Sequence, residues 1–190
     1  MTIPDYQICM LPFLHFLSDS KEHSLREAEE SLGKYFKLSD AERAELLPSG
    51  QQGIFKNRIG WARTYLKKAC LIESPKRGVF KITDRGLNIL STNPIRIDAK
   101  FLEQFPEFME FKEISKTTNG ITSTSVPAAA ILAATTTPEE AIELAYQGLR
   151  EQLAQELLSV ILSCSPIFFE QLVVDLLVKM GYGGSRRDAG

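Results

Sequence analysis

Lys56, Arg63 and Lys67 lie seven and four residues apart, and on a helix turning about 100° per residue they fall, with Gly60, within about 60° of one another. Three cations on one stripe, flanked by Asn57, Thr64 and Lys68, can neutralise and orient phosphates. Asn57 and Arg63 also have the side chains that pair with adenine and guanine edges. A few residues on, Lys76 and Arg77 stand beside Pro75 and Gly78 at a turn, where they would reach phosphate or a minor groove. A solvated helix face has the same composition, but residues 51–87 carry nine basic and two acidic residues, +7, which leaves −9 for the rest of a chain of net charge −2. The basic patch is local. The overall pI near 5.8 is therefore no argument against a polyanion partner for this segment.

Other reactive side chains form no pattern of their own. Cys9, Cys70 and Cys164 are scattered without a CxxC pair, so reduced, buried thiols are expected and no zinc site. His15 lies between apolar neighbours and is expected to pack. Trp61 suits either packing beneath the turn or contact with DNA. Asp175 and Asp188 have no ligand spacing, and Glu170 taken alone is a surface carboxylate.

The elements that would position the basic residues follow from periodicity and caps. A first helix is expected over 4–17, kinked or delayed at Pro12. Ser24 with Glu27, and Ser39 with Glu42, have capping-box spacing and open two further helices, the second ending at the Leu47, Pro48, Ser49, Gly50 turn. Over 54–70, Phe55, Ile59, Ala62, Leu66, Ala69 and Cys70 form an apolar arc opposite the basic stripe. Arg58 falls towards that arc and needs an acidic or carbonyl partner there. Residues 71–74 and 79–82 flank the Pro75 to Gly78 turn as a hairpin, Thr83 caps a helix, Gly86 relieves a close approach, and a short helix covers 99–108.

Helices, a basic helix, a basic-tipped hairpin and a closing helix describe a winged helix-turn-helix over 1–110. Ten Ser or Thr among the 27 residues 112–138 mark 111–138 as a linker, within which AAAILAA at 128–134 is apolar enough to dock. Pro138 opens a long helix seamed by Ile142, Ala145, Leu149, Leu153, Leu157 and Val160, and 167–180 forms a last one. These helices have no sheet to cover, so 139–190 is expected to be part of an incomplete domain. The whole is mainly α. With 44% apolar and 24% charged residues the chain is expected to be globular. It has no apolar run near 20 residues and no basic, apolar leader, which points to the cytoplasm with no membrane partner.

Residues 56–74 (KNRIGWARTYLKKACLIES) and 77–86 (RGVFKITDRG) resemble the N-terminal winged-helix domain of the Mrr family of restriction endonucleases. Residues 165–184 (SPIFFEQLVVDLLVKMGYGG) are similar to the opening helix of that family's nuclease domain. The resemblance implies a modification-dependent restriction protein. Its N-terminal domain would bind double-stranded DNA, methylated DNA included, through Lys56, Asn57, Arg63, Thr64, Lys67, Lys68, Lys76 and Arg77. Its C-terminal α/β domain of the restriction-endonuclease fold would cleave with Mg2+. The family's catalytic set is a helix Glu, a strand Asp and a Gln-x-Lys motif. Glu170 matches the first, and the others have no counterpart here, so no cofactor is expected on this chain. A homodimer is left open. The competing reading from another class is a winged-helix transcription regulator, which has no reason to carry the 165–184 run.

Overall fold

The computed structural model describes residues 3–118 and 136–182. Of the expected linker, 119–135, including the AAAILAA stretch, lies outside these residues, as does Asp188.

The first helix, α1 (Tyr6–Phe16), begins where the Asp5 carboxylate accepts from the N–H groups of Gln7 and Ile8, both at 2.8 Å. Pro12 sits inside it without ending it. Cys9, Met10, Phe13, Leu14 and Leu17 are fully buried, whereas Ile8 and His15 face solvent. The packing role expected of His15 is thus corrected: the buried stripe runs through its neighbours Phe13, Leu14 and Leu17.

Two capping boxes form as the spacing predicts. Ser24 opens α2 (Leu25–Tyr35) with Glu27, and Ser39 opens α3 (Asp40–Ala44) with Glu42. The longest helix of this region, α4 (Ile54–Lys68), lays Phe55, Ile59, Ala62 and Leu66 against α1 and α2. Phe55, Ile59 and Leu66 each contribute roughly 1.5–3 kcal/mol by leaving water. It ends at Cys70, whose φ of 56° closes the helix in the left-handed conformation usually taken by glycine.

Three short strands form one antiparallel sheet in the order β1–β3–β2, with β1 at His23–Ser24 ahead of α2, and β2 at Ile72–Glu73 and β3 at Val79–Ile82 after α4. His23 pairs with Phe80 and Ile72 with Ile82. Gly78, at φ 79°, makes the β2–β3 turn. Thr83 caps α5 (Asp84–Ser91) by accepting from the Gly86 N–H at 3.1 Å. A Cβ on Gly86 would lie 2.3 Å from the Leu71 carbonyl oxygen and 2.6 Å from Ile82 Cγ1; the close approach is to strands. The single helix expected over 99–108 is two, α6 (Ala99–Leu102) and α7 (Pro106–Thr118). Pro106 has no N–H to extend α6 but suits the first turn of a new helix. α7 runs on through the first residues of the expected linker.

The chain divides into two compact units, Met1–Glu143 and Leu144–Gly190. The second holds most of α8 (Pro138–Ser163) and all of α9 (Pro166–Lys179), the latter capped by Ser165. Leu149, Leu153, Leu157, Val160, Phe169 and Leu176 are all about half exposed or more, and no residue of α9 is buried.

Candidate nucleic-acid interface

α4 carries the basic residues because its apolar arc is committed to α1, which turns the remaining faces outward. Arg63 is partly buried with its guanidinium 5.2 Å from the Phe80 ring centroid, a cation–π contact that fixes the side chain against β3. Burial lowers its pKa from the ordinary guanidinium value, but a guanidinium starts so far above neutral that the charge remains. Thr64 donates to the Gly60 carbonyl at 2.9 Å and accepts from Arg63 at 3.3 Å. Lys67 is exposed, and the Lys68 ammonium lies 4.8 Å from the Phe111 ring centroid.

Across from α4 stands the β2–β3 turn. Lys76 makes a loose 3.7 Å pair with Glu22, its side chain 74% exposed. Arg77 is exposed with no ion pair among the described residues. Between helix and turn lies a concavity of about 920 Å³, lined by Arg63, Thr64, Lys67 and Lys68 on one side and by Ser74, Pro75, Lys76, Arg77 and Gly78 on the other, with Phe80 beneath. Its acidic residue is Glu107, which Arg85 engages through two bonds of 2.9 and 3.0 Å; that guanidinium holds the Glu107 carboxyl below its usual range. Lys56 lines a neighbouring hollow with Arg26, Glu29, Glu30 and Arg43, and Gly78 borders both.

Asn57 is a correction. It is 3% exposed, its Oδ1 accepting from the Thr137 hydroxyl at 2.6 Å and its Nδ2 donating to Gln52 at 3.4 Å, so the amide faces the interior and cannot read a base edge. The helical wheel placed it beside the basic stripe but could not show the segment that covers it. Arg58 finds both kinds of partner expected: Glu140 at 2.7 Å and the carbonyls of Ile3 and Pro4 at 2.6 and 3.3 Å. Trp61 packs against the hydrophobic core, its ring meeting Tyr65 edge-on and its indole N–H donating to Glu139. Sequence reasoning missed Phe80 and Phe111 as platforms for Arg63 and Lys68. Phe80 was within reach, since alternation in 79–82 turns it with Ile82 towards the core side of the hairpin.

Residues 6–92 match the family described as the Mrr N-terminal domain. Over 200 aligned positions the sequence is 31% identical to the type IV methyl-directed restriction enzyme EcoKMrr of Escherichia coli (strain K12), an alignment covering 99% of this chain. Residues 6–92 belong to the Mrr N-terminal domain family. It spans 62% of that relative's length. No solved structure matches it at a significant level.

All eight basic and polar candidates fall inside the matched Mrr N-terminal domain. Glu170 lies outside it, exposed on α9. Among the described residues no three His, Cys, Asp or Glu side chains cluster as metal ligands. One carboxylate is too few for a strongly hydrated Mg2+ ion, so the described residues do not make that site. No helix among them is long and apolar enough to cross a membrane.

Proposed function

We propose that this chain binds double-stranded DNA as the winged-helix region of a modification-dependent restriction endonuclease. The observation that carries the reading is that Arg63, Thr64, Lys67, Lys68, Lys76 and Arg77, from two separate elements, line one concavity. In this reading α4 is the recognition helix and the β2–β3 hairpin is the wing. Arg63, steadied by Phe80, and the exposed Lys67 take phosphates or a groove edge. Lys76 and Arg77 take the flanking backbone, and Lys56 extends the contact line along α4. Glu107, tied to Arg85, closes one end of the footprint by repelling phosphate. That the E. coli relative is a methyl-directed restriction enzyme supports DNA, with methylated DNA included, as the partner, and in this reading the setting is the cytoplasm. Cleavage would need carboxylates beyond those of the described residues, with which Glu170 would act, and Mg2+ would supply charge neutralisation and an activated water.

The test is titration of the chain against duplex DNA of arbitrary sequence over a range of salt. Phosphate contacts release counterions, so log K should fall linearly with log salt, with a slope of about −3.6 to −5.4 for four to six neutralised phosphates. Absent or salt-independent binding would overturn the reading.

A further inference from the structure

The start of α8 is bound into the first unit by a polar network that phosphate contact does not use. Thr137 is fully buried and Glu140 nearly so. Thr137 caps α8: its hydroxyl donates to Asn57 Oδ1 at 2.6 Å and accepts from the Glu140 N–H at 3.2 Å, while Glu140 Oε2 accepts from the Thr137 N–H at 2.9 Å. The other Glu140 oxygen accepts from Arg58 Nε at 2.7 Å. Beside them Glu139 accepts from the Trp61 indole, and Glu143 accepts from the N–H and hydroxyl of Ser49 at 2.8 and 2.6 Å. All of these residues lie within Met1–Glu143.

The network grips α4 and the turn that feeds it. Asn57, Arg58 and Trp61 hold one side of the helix, and Lys56, Arg63 and Lys67 occupy another. Opening the contact would take from the buried Asn57 carbonyl its Thr137 donor and from Arg58 its carboxylate, leaving that guanidinium only the carbonyls of Ile3 and Pro4, and such losses are costly. The network is therefore closed or open as a unit. We propose that residues 137–143 form a latch whose closure holds α4 and the 47–50 turn in the DNA-binding position, so that latch closure and DNA binding favour each other. The proposal rests on the DNA reading above.

Trp61 is the chain's single tryptophan and is bonded to the latch through Glu139, so its emission reports closure. Glu140→Gln and Thr137→Val, checked for folding by circular dichroism, should shift Trp61 emission to the red. They should weaken duplex binding by about fivefold or more, with the salt slope unchanged because no phosphate contact is lost. By reciprocity, saturating duplex should slow hydrogen exchange at the amides of 139–143 in the unaltered chain. Should either variant unfold, Ser49→Ala at the exposed turn gives the same readouts. Variants with shifted emission but unaltered affinity would overturn the coupling, and unshifted emission in every variant would overturn the latch itself. If the unaltered chain fails to bind duplex at any salt, the DNA reading falls, and the coupling with it.

Discussion

Arg63 and Asn57 sit six residues apart on one helix and meet opposite surroundings, and their substitutions should separate accordingly. Replacing Arg63 and Lys67 together with Ala should weaken duplex binding by about 1–3 kcal/mol at moderate salt and flatten the salt slope by about one unit per lost phosphate contact, with the fold intact. Unchanged affinity would remove this face of α4 from the interface. Asn57→Ala should instead cost about 1–3 kcal/mol of stability in urea unfolding, since the buried Thr137 hydroxyl loses its acceptor, and should leave the salt slope as it was. The thiols divide in the same way, correcting the expectation that all are buried: Cys9 is buried and Cys70 exposed. Burial pushes the Cys9 thiol up to about 12. A thiol reagent at mildly alkaline pH should therefore label Cys70 in the native chain and Cys9 only after unfolding.

Elements that rest on local signals respond to local changes. Gly86→Ala should destabilise by about 1–3 kcal/mol or more, because the new methyl would meet the Leu71 carbonyl, which is backbone and cannot yield cheaply. The α2 cap carries a pH dependence of definite sign. The Ser24 N–H, and then its hydroxyl, hold the Glu27 carboxyl below its ordinary 4.5. A carboxyl depressed in the folded state stabilises fully above its unfolded pKa, and that contribution is lost as pH falls through the lower folded value. Glu27→Gln, which removes the titrating group and keeps the Ser24 cap, should therefore lower the urea midpoint at about pH 6 and matter less as pH falls below the usual carboxylate range. Both capping boxes, the Thr83 cap, the hairpin and the need of Arg58 for a partner were legible in sequence because each is set within a few residues or by the chemistry of one side chain. What could not be read was fixed at a distance. Thr137 covers Asn57 from 80 positions away, and β1 is only two residues long, too short for alternation to show, and exists because β3 offers an edge. The 99–108 helix split where Pro106 favoured a new start over continuation.

At the scale of the whole chain, the second unit has far more apolar surface in water than a monomeric domain usually exposes. Sedimentation should show a mass that rises with concentration, and Leu153→Glu or Leu157→Glu should suppress the rise; a concentration-independent monomer would rule out self-association through this seam. The first unit has a different large-scale property. Arg63, Lys67, Lys68, Lys76 and Arg77 converge on one hollow, while the chain outside 51–87 carries a net negative charge, so a polyanion is attracted to that hollow more than to the rest of the unit. The consequence is kinetic. Misoriented encounters separate before they can persist, and those facing the hollow are guided in, so the association rate should fall steeply as ionic strength rises while dissociation changes less. A protein that must sample long stretches of duplex for a rare site gains from an arrival that already selects the correct side.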